Sequence, residues 1–473
     1  MNLPMEIELT ENFVFEEITI GQSARLLRTL TLADIQSFAA VSGDTNPAHL
    51  DPEYAHASLF HGVVAHGMWS GALISALLGT QFPGTGTIYQ DQDLHFIKPV
   101  HVGDTLTVVV TVTGLDPLKK SVQLDCQVSN QRGERVVSGM ARVIAPLTKV
   151  STPRVMAPQI QLFDPQARFR DLLALGENLE PVRCAVVHPC DEGSLSGAMD
   201  AARYGLIVPV LIGPETRIRA VAEKAGIDLT GAEFISQSHS HASAETAAEL
   251  AANGNVEMLM KGSLHTDELI HAVLAKSVLR TGRRMSHVFR FDVPLYSKPL
   301  LITDAALNIR PNLQEKVDIV QNAIDFARIM GVDVPKVALL AAVEMVNPNM
   351  PSTLDAAALC KMADRGQITG GVLDGPLAFD NAISLQAAQI KKIKSEVSGQ
   401  ADILVVPDLE SGNMLAKQLE YLAGASGSGI VLGARIPIAL TSRAEGPSNR
   451  VSSALLALLV AHNARRNHAR NAW

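Results

Sequence analysis

The chain has 473 residues, enough for about three compact units, so a single small binding module is excluded. Hydrophobic residues make up 47% of it and charged residues 19%, which allows ordinary buried cores and excludes general disorder. The net charge is −8, and residues 1–150 carry 9 basic against 15 acidic side chains, so neither part offers a basic nucleic-acid surface. An anionic ligand must therefore be held by a few local cations and backbone amides.

Cysteine content and hydropathy indicate the compartment. Four cysteines without CxxC spacing are typical of unpaired thiols in a reducing environment. The first residues lack a basic segment followed by an apolar run, and the longest apolar helical stretch, Gly67 to Gly79, is about 13 residues and too short to cross a bilayer. We therefore expect a soluble cytoplasmic protein that binds neither nucleic acid nor membrane.

The first part of the chain predicts an α+β domain. A helix is expected around residues 32–41, followed by the nearly apolar helix 67–79, which is typical of a helix surrounded by protein. Apolar residues then alternate with polar ones over 106–112 and 122–128, the pattern of half-buried antiparallel strands. Together they predict a hot-dog arrangement, an antiparallel sheet curled around one central helix.

A change of pattern sets the predicted domains at 1–148 and 165–473, with a proline-interrupted linker over 149–164. In the second domain short strands and helices alternate, which predicts right-handed crossovers and a parallel sheet. Two α/β lobes fit this length better than one sheet. Strands are predicted at 183–187, 207–212, 257–260, 299–302, 336–340 and 402–406, and helices at 195–202, 215–225, 267–275, 313–330, 412–422 and 449–462.

The segment from Ser42 to Asp51 places a carboxylate and an imidazole five residues apart. Gly43 and Pro47 shape the chain around Asp44 and His49, so the two side chains can point at one small volume. Such a pair can take a proton from water and deliver one nearby. On this fragment alone a structural turn is the competing interpretation.

The stretch from Gly43 to His49, followed by His66-Gly67-Met68, resembles the MaoC-like hydratases of the hot-dog fold, the (R)-specific enoyl-CoA hydratase family. The resemblance covers about residues 10–145. It implies that Asp44 and His49 activate water for addition to C3 of a trans-2-enoyl thioester and deliver a proton to C2. It also implies that the Gly67 amide stabilises the enolate oxygen, and we assign Asn46 to shaping the substrate-binding loop.

The same region bears on two further questions, whether the domain binds a metal and whether it self-associates. His56, His61 and His66 recur every five residues, a spacing that does not share one helix face, and no carboxylate is arranged with them, so no metal site is predicted. A single hot-dog unit leaves a sheet edge exposed. We therefore expect a homo-oligomer, a dimer or higher.

Three stretches of the second domain could bind an anion. Ser411, Gly412 and Asn413 follow a strand and begin a helix, where backbone amides are free. A Gly/Ser run over 424–429 predicts a backbone-exposing loop that includes Gly427 and Gly429. Ser442-Arg443 follow a buried strand, and a guanidinium fork matches phosphate oxygens. Taken alone, each of the first two stretches is equally an ordinary loop, and Arg443 is equally a surface arginine at a strand end.

Five ordered stretches resemble the phosphate acetyl/butyryl transferase family across about residues 165–465. The resemblance implies acyl transfer between coenzyme A and inorganic phosphate in a ternary complex, with both as substrates and no tightly bound cofactor. Arg443 would bind the phosphate oxygens, Ser442 would hydrogen-bond the thiol sulfur or the oxyanion, and the loops at Ser411–Asn413 and Gly424–Gly429 would lie along the coenzyme. The matching stretches are 298–309, 318–323, 371–380, 407–413 and 441–443.

Two departures leave the acyl preference and the general base open. The acetyl-specific branch has an aspartate seven residues after its serine, where this chain has Asn449, which cannot serve as a base. A basic residue of that branch is also missing from the counterpart of 265–270. Both differences favour the butyryl branch.

The sequence thus predicts a bifunctional enzyme that hydrates a short 2-enoyl-CoA and exchanges acyl groups between coenzyme A and phosphate. The alternative is that one domain is non-catalytic and acts as an acyl-CoA sensor or an oligomerisation module. An isocitrate-dehydrogenase-like enzyme is disfavoured because no nucleotide-binding fingerprint is found.

Overall fold

A computed structural model gives the chain as two units, Met1–Leu162 and Phe163–Trp473. It describes residues 9–153, 155, 163–440 and 446–471. The domain bounds drawn at residues 148 and 165 stay predictions, and residues 154 and 156–162 of the linker lie outside the described ranges. Among the helices that are described, none combines the length and hydropathy that a bilayer crossing requires.

The N-terminal unit is an antiparallel sheet around a central helix, as the sequence predicts. The sheet has the order β2-β5-β6-β7-β3, with β4 also paired to β7, and a separate pair joins β1 and β8. Its strands are β1 (Leu9–Glu11), β2 (Ser23–Thr29), β3 (Ile88–Gln92), β4 (His95–Phe96), β5 (Thr105–Asp116), β6 (Ser121–Ser129), β7 (Arg135–Ile144) and β8 (Ser151–Pro153). Its helices are α1 (Leu32–Ser42), α2 (Pro47–Leu50), α3 (Pro52–Ala57) and α4 (Gly67–Thr80), with a 3-10 turn at Phe15–Glu17.

Strand alternation and helix α4 build the N-terminal core. Leu106, Val108 and Val110 of β5 are fully buried while their neighbours are only half-buried, so one face of the sheet turns inward. Helix α4 buries Ile74 and Leu77 against this face. The opposite face of α4, with Met68, Ala72 and Ala76, is exposed, so the prediction of a helix surrounded by protein on every side is wrong for the single chain.

The C-terminal unit is an α/β domain with one mixed, mostly parallel sheet. Its strands are β9 (Val182–Val187), β10 (Ile207–Gly213), β11 (Glu233–Ser236), β12 (Met258–Lys261), β13 (Ser286–Asp292), β14 (Leu300–Thr303), β15 (Lys336–Leu340), β16 (Val372–Leu377), β17 (Ile403–Val405), β18 (Ser426–Leu432) and β19 (Ile438–Ala439). Its helices are α5 (Pro165–Ala174), α6 (Glu192–Arg203), α7 (Glu215–Ala225), α8 (Ser240–Ala252), α9 (Thr266–Ala275), α10 (Leu313–Ile329), α11 (Pro351–Asp364), α12 (Phe379–Ile383), α13 (Leu385–Ile390), α14 (Leu409–Tyr421) and α15 (Pro447–Asn471), with a 3-10 turn at Ser277–Leu279.

The predicted fold class is confirmed, but the expectation of two lobes in place of one long sheet needs correction. The eleven strands form a single sheet in the order β11-β10-β9-β12-β19-β18-β13-β14-β17-β15-β16. Two groups of parallel strands are joined by the antiparallel pairs β19–β18, β18–β13 and β13–β14. Because these three reversals separate them, the carboxyl ends of the two groups lie at opposite edges of the sheet.

Glycine positions allow a matched stability test in the N-terminal unit. A Cβ at Gly139 of β7 would lie 1.9 Å from the Asp93 carbonyl oxygen, whereas a Cβ at Gly79 of α4 meets nothing within 4 Å. We expect Gly139→Ala to lower the melting temperature, because backbone must move to admit the methyl group. Gly79→Ala should leave it unchanged or raise it, since alanine favours a helix by up to about 1 kcal/mol over glycine. Calorimetry of both variants measures this, and equal shifts would contradict the close approach at β7.

Candidate active sites

Helix caps set the chain around the predicted acid/base pair. Helix α1 ends at Gly43, whose φ of 76° is in the left-handed region that favours glycine. Asn46 then caps α2, with its side-chain oxygen accepting from the Ala48 amide at 3.0 Å. The Asn46 amide in turn donates to Asp44 Oδ1 at 3.3 Å. The segment is therefore a structural turn, and that turn also positions the Asp44 carboxylate.

Asp44 and His49 come together with a third group, His66. The carboxylate of Asp44 and the ring nitrogens of His49 and His66 offer ligand atoms that all lie within 4.8 Å of one another. The two imidazole rings have centroids 3.9 Å apart. The sequence predicts Asp44 and His49 as a pair and expects no carboxylate beside His66. The second expectation is wrong, because the Asp44 carboxylate lies within 4.8 Å of a His66 ring nitrogen. The position of His66 at the start of α4 makes it the N-cap residue of that helix.

Hydrogen bonds to carbonyl groups fix the tautomers of both histidines. His49 Nδ1 donates to the Val64 carbonyl at 2.8 Å, because a carbonyl oxygen can only accept. The Nε2 atom of a neutral His49 is therefore unprotonated and able to take a proton. His66 Nε2 donates to the Asp44 carbonyl at 2.9 Å. Its Nδ1 is buried and has no hydrogen-bond partner among the described residues.

A cavity of about 340 Å³ lies beside these groups. Gly67 is the first residue of α4, so its amide belongs to the N-terminal turn that has no acceptor within the helix and carries the positive end of the dipole. A Cβ at Gly67 would lie 3.0 Å from the Phe96 ring, so a larger residue would narrow the cavity. His49, His66 and Gly67 line this cavity, and the Asp44 carboxylate lies within 4.8 Å of the two imidazoles. The apolar walls of the cavity include Phe60, Val64, Phe96, Val100 and Val137.

The predicted Ser442-Arg443 pair lies in 441–445, outside the described residues. The structure describes what flanks it: β19 and Leu440 before it, Gly446 and α15 after it. Strand β12 pairs in parallel with β19, with Met260 opposite Ala439, and its last residue, Lys261, lies opposite Val187 of β9. Lys261 is buried at the carboxyl end of parallel strands, where ligands bind in such sheets, and the sequence analysis missed it.

Helix α14 does not begin with the free amides that the sequence predicts. Its N-cap, Asp408, accepts from the Ser411 amide at 2.9 Å, and the Gly412 amide donates to the Asp408 carbonyl. Although burial opposes it, these hydrogen bonds from Ser411 hold the pKa of Asp408 below its usual range. The protein's own Asp408 carboxylate therefore occupies the position at the start of α14 where an anionic ligand was expected to bind. Asn413 Nδ2 donates to the Ala305 carbonyl at 3.2 Å.

The predicted loop at Gly424–Gly429 is wrong for Gly427 and Gly429, which lie inside the buried strand β18. A Cβ at Gly427 would lie 2.6 Å from the Phe291 ring. A Cβ at Gly429 would lie 2.5 Å from the Leu440 carbonyl oxygen. Glycine in a strand interior marks such a close approach, and the apolar residues that follow in β18 were the signal for it.

A second cavity, of about 320 Å³, is lined by Arg280, Arg283 and Arg284. The three guanidinium groups come from one short basic segment that the sequence analysis did not single out. Each has a partner: Arg280 donates to the Leu274 carbonyl, Arg283 pairs with Asp325 at 2.6 Å, and Arg284 donates to Asn308 at 2.8 Å. Ile270 of α9 also lines this cavity, within the stretch where the expected basic residue is missing.

Two titratable groups are buried between the halves of the sheet. Burial lowers the pKa of His287 to about 3. The Leu440 carbonyl acts in the opposite direction and raises this pKa, but burial has the larger effect. Burial also raises the pKa of Asp304, whose Oδ1 accepts from the Ala306 and Leu307 amides at 3.0 Å. The Asp304 carboxylate therefore closes the turn that follows β14.

The buried imidazole makes stability depend on pH. Between pH 6.5 and pH 3 the unfolded chain protonates His287 and the native chain does not, so stability falls as pH falls. From pH 6.5 to pH 5 this costs about 2 kcal/mol. We expect the melting temperature of His287→Gln to fall less between pH 7 and pH 5 than that of the unsubstituted protein. The control is His271→Gln, at an exposed histidine of α9. Equal falls in all three proteins would contradict the burial.

Comparison with known proteins adds two family matches. The family model described as "Phosphate acetyl/butaryl transferase" matches residues 237–458, and the one described as "MaoC like domain" matches residues 16–132. The phosphate acetyltransferase of Rhizobium meliloti is 56% identical over 296 residues, 62% of this chain and 94% of that protein. The phosphate butyryltransferase of Clostridium acetobutylicum is 42% identical over 296 residues, with 62% and 98% covered. The crystal structure of a branched-chain phosphotransacylase from Enterococcus faecalis is 29% identical, with a TM-score of 0.53, 59% of this chain and 99% of that one covered.

Proposed function

We propose that this chain, which belongs to the phosphate acetyl/butyryl transferase family and carries a MaoC-like domain before that part, is a bifunctional enzyme of acyl-CoA thioesters. The C-terminal unit exchanges an acetyl group between coenzyme A and inorganic phosphate. The N-terminal unit adds water to a short trans-2-enoyl-CoA. The observation that carries the second activity is the meeting of Asp44, His49 and His66 beside the Gly67 amide.

Acyl transfer to phosphate needs cations at the phosphate and a donor at the thioester oxygen. A phosphate oxygen attacks the thioester carbonyl, the bond to sulfur breaks, and the coenzyme leaves as a thiolate. We assign the phosphate to Arg443 and to Lys261, whose strand β12 pairs with β19, the strand that precedes residues 441–445 in the chain. Ser442 donates to the oxyanion or to the leaving sulfur. The step is direct, so no covalent enzyme intermediate forms.

The cavity lined by Arg280, Arg283 and Arg284 is proposed to hold the phosphate groups of the coenzyme. These residues supply guanidinium forks beside Ile270, which belongs to the stretch 265–270 whose counterpart in the acetyl branch contains a basic residue. This assignment replaces the coenzyme contacts expected at Ser411–Asn413 and at Gly427 and Gly429. The cap at Asp408 and the burial of β18 support moving the contacts away from those positions.

The acyl preference is proposed to be acetyl. The chain is 56% identical to an acetyltransferase and 42% to a butyryltransferase over similar lengths, which outweighs the two departures that favour the butyryl branch. Asn449 lies in the first turn of α15 and cannot take a proton. Neighbouring cations lower the pKa of a thiol, so a coenzyme thiol among Arg443 and Lys261 needs no separate base in the reverse reaction.

In the hydration step the unprotonated Nε2 of His49 takes a proton from water as the oxygen attacks C3. The Asp44–His49 pair then delivers a proton to C2, so one water is added across the double bond. Negative charge develops on the thioester oxygen, where the Gly67 amide donates from the positive end of α4. His66 holds the Asp44 backbone through Nε2 and thereby fixes the carboxylate relative to His49.

Self-association belongs to the same proposal. Met68, Phe96 and Ile97 are large apolar residues left exposed near the cavity mouth or in its wall. Strand β3 ends the sheet, and its Ile88 is exposed as well. A second copy covering this face would bury apolar surface and a free sheet edge, so we propose a dimer or higher oligomer.

The first experiment incubates the purified chain with crotonyl-CoA and, separately, with acetyl-CoA, each with and without inorganic phosphate. We expect the crotonyl thioester to gain one water without phosphate, and free thiol to appear from acetyl-CoA only with phosphate. Mass spectrometry and a thiol assay measure both products. If thiol never appears from acetyl-, butyryl- or crotonyl-CoA, the C-terminal unit is a sensor or scaffold instead. A parallel sample with a chelator tests whether the Asp44, His49 and His66 set uses a metal.

Substitution of Asp44 separates the two activities. Asp44→Asn keeps the shape but loses the charge, so we expect hydration to fall by about 10³-fold while phosphate-dependent transfer is unchanged. The matched control is Asp51→Asn, at an exposed helix cap of the same unit that asparagine also serves. It should retain both activities. Loss of phosphate-dependent acyl transfer in Asp44→Asn would contradict the proposal that the two sites are independent.

A further inference from the structure

Asp44, His49 and His66 bring one carboxylate and two imidazoles together in the N-terminal unit, and the hydration step proposed above uses no metal ion. Each residue offers one ligand atom, and these atoms lie within 4.8 Å of one another. Imidazole nitrogen and carboxylate oxygen are ligands that Zn²⁺ and the neighbouring first-row divalent ions accept. The three side chains therefore supply a ligand set that a divalent transition metal can use.

The hydrogen bonds of the two histidines leave each ring with one nitrogen lone pair. His49 Nδ1 donates to the Val64 carbonyl at 2.8 Å, and His66 Nε2 donates to the Asp44 carbonyl at 2.9 Å. A neutral imidazole that donates from one nitrogen carries no proton on the other. Histidines that bind a metal usually donate their second N–H to a carbonyl or carboxylate, which orients the ring. His49 Nε2 and His66 Nδ1 are thus prepared as ligand atoms.

His66 Nδ1 gives an independent indication of a ligand at this place. The residue is 2% exposed, and among the described residues Nδ1 has no hydrogen-bond partner. A buried acceptor that meets neither a donor nor a cation costs stability. Lys98 lines the same cavity, but its ammonium group pairs with Glu134 at 2.6 Å. A metal ion bound between the three side chains would satisfy the buried nitrogen.

Asp44 is the member of the set that can move to complete the coordination. Two ligand atoms of a tetrahedral Zn²⁺ lie about 3.4 Å apart, since each bond is about 2.1 Å long, so the three atoms must draw together. His66 is fixed by its burial and by its position as the N-cap of α4. Asp44 is exposed, and its Oδ1 accepts from the Asn46 amide at 3.3 Å, which is long for a hydrogen bond. A rotation of this carboxylate brings an oxygen toward the two nitrogens.

We propose that Asp44, His49 and His66 bind a divalent transition-metal ion such as Zn²⁺, and that the bound ion inhibits hydration. The ion takes the lone pair of His49 Nε2, and the proposed hydration needs the same lone pair to accept a proton from water. Mg²⁺ prefers oxygen ligands and keeps its water shell, so this site does not bind it. The inhibition rests on the proposed hydratase function, whereas the binding does not.

Metal binding is measured directly in the untagged full chain. Isothermal titration calorimetry follows the addition of Zn²⁺ and, separately, of Mg²⁺, and visible absorption follows the addition of Co²⁺. We expect one high-affinity Zn²⁺ per chain, no binding of Mg²⁺, and absorption bands of protein-bound Co²⁺ that Zn²⁺ abolishes by competition. Equal binding of Mg²⁺ and Zn²⁺, or an unchanged spectrum on addition of Co²⁺, would overturn the proposal.

Substitution of each ligand locates the ion. His49→Asn and His66→Gln remove a ligand nitrogen while keeping an amide that can donate to the same carbonyl, and Asp44→Asn removes the charge at an exposed position. The matched control is His56→Gln, at an exposed histidine of α3 in the same unit. We expect the first three variants to bind Zn²⁺ at least about 100-fold more weakly, because loss of an outer-shell partner alone costs about 10- to 100-fold. Undiminished binding in these variants, or an equal loss in His56→Gln, contradicts the assigned ligands.

Hydration of crotonyl-CoA without phosphate then tests the inhibition. We expect saturating Zn²⁺ to lower the rate by about 100-fold or more, as loss of a general base does, and a chelator to restore it. A rate that falls with the chelator alone would overturn the inhibitory role. If the chain binds Zn²⁺ as expected but never hydrates crotonyl-CoA, the proposed function fails and the metal site does not. Hydration in a chain that binds no Zn²⁺ would refute this inference alone.

Discussion

The antiparallel pairing of β13 with β18 is the constraint on which the C-terminal unit depends. It runs without a break from Ser286 opposite Leu432 to Asp292 opposite Ser426. On either side of it lie parallel strands that run in opposite directions, so the pairing turns two α/β halves into one sheet. Gly427 and Gly429 make this possible, because any side chain at either position would meet Phe291 or His287. The glycines serve strand packing, and the groups they admit lie next to the start of the proposed phosphate-binding segment.

The proposed phosphate-binding sites depend on a few local cations, because the net charge of the chain is negative. The chain carries a charge of −8, yet Lys261 ends the buried strand β12, and Arg280, Arg283 and Arg284 line one cavity. Inside a sheet edge or a cavity the effective dielectric constant is lower than in water, so a few fixed cations act strongly on a phosphate there. The carboxylate of Asp408 has the opposite effect and makes the start of α14 unfavourable for an anion.

The proposed hydratase site shows how ordinary capping builds a reactive arrangement. Gly43 ends one helix and Asn46 begins the next, and this places Asp44 in the turn between them. His66 caps α4 and reaches back to the Asp44 carbonyl, so the end of α1 and the start of the central helix are tied together. The carbonyl partners of His49 and His66 then decide which ring nitrogens carry no proton, and the proposed proton transfer starts from this arrangement.

Sequence alone determined the features that follow from local periodicity and local chemistry. Alternation of apolar and polar residues predicts β5 and β6. The spacing of Asp44 and His49 predicts a pair, and the structure brings the two together with His66 within 4.8 Å. The family resemblances, drawn from short motifs, agree with the matched families.

Only the tertiary structure decided what depends on contacts between distant segments. A Gly/Ser run has the composition of a loop, and its burial as β18 follows from pairing with β13, which lies more than a hundred residues earlier. The single sheet, the pairing of β12 with β19 and the cavity at Arg280–Arg284 arise in the same way. The reason is that hydrogen-bond register and side-chain packing join residues far apart in the chain, and no local pattern records which partner a strand will have.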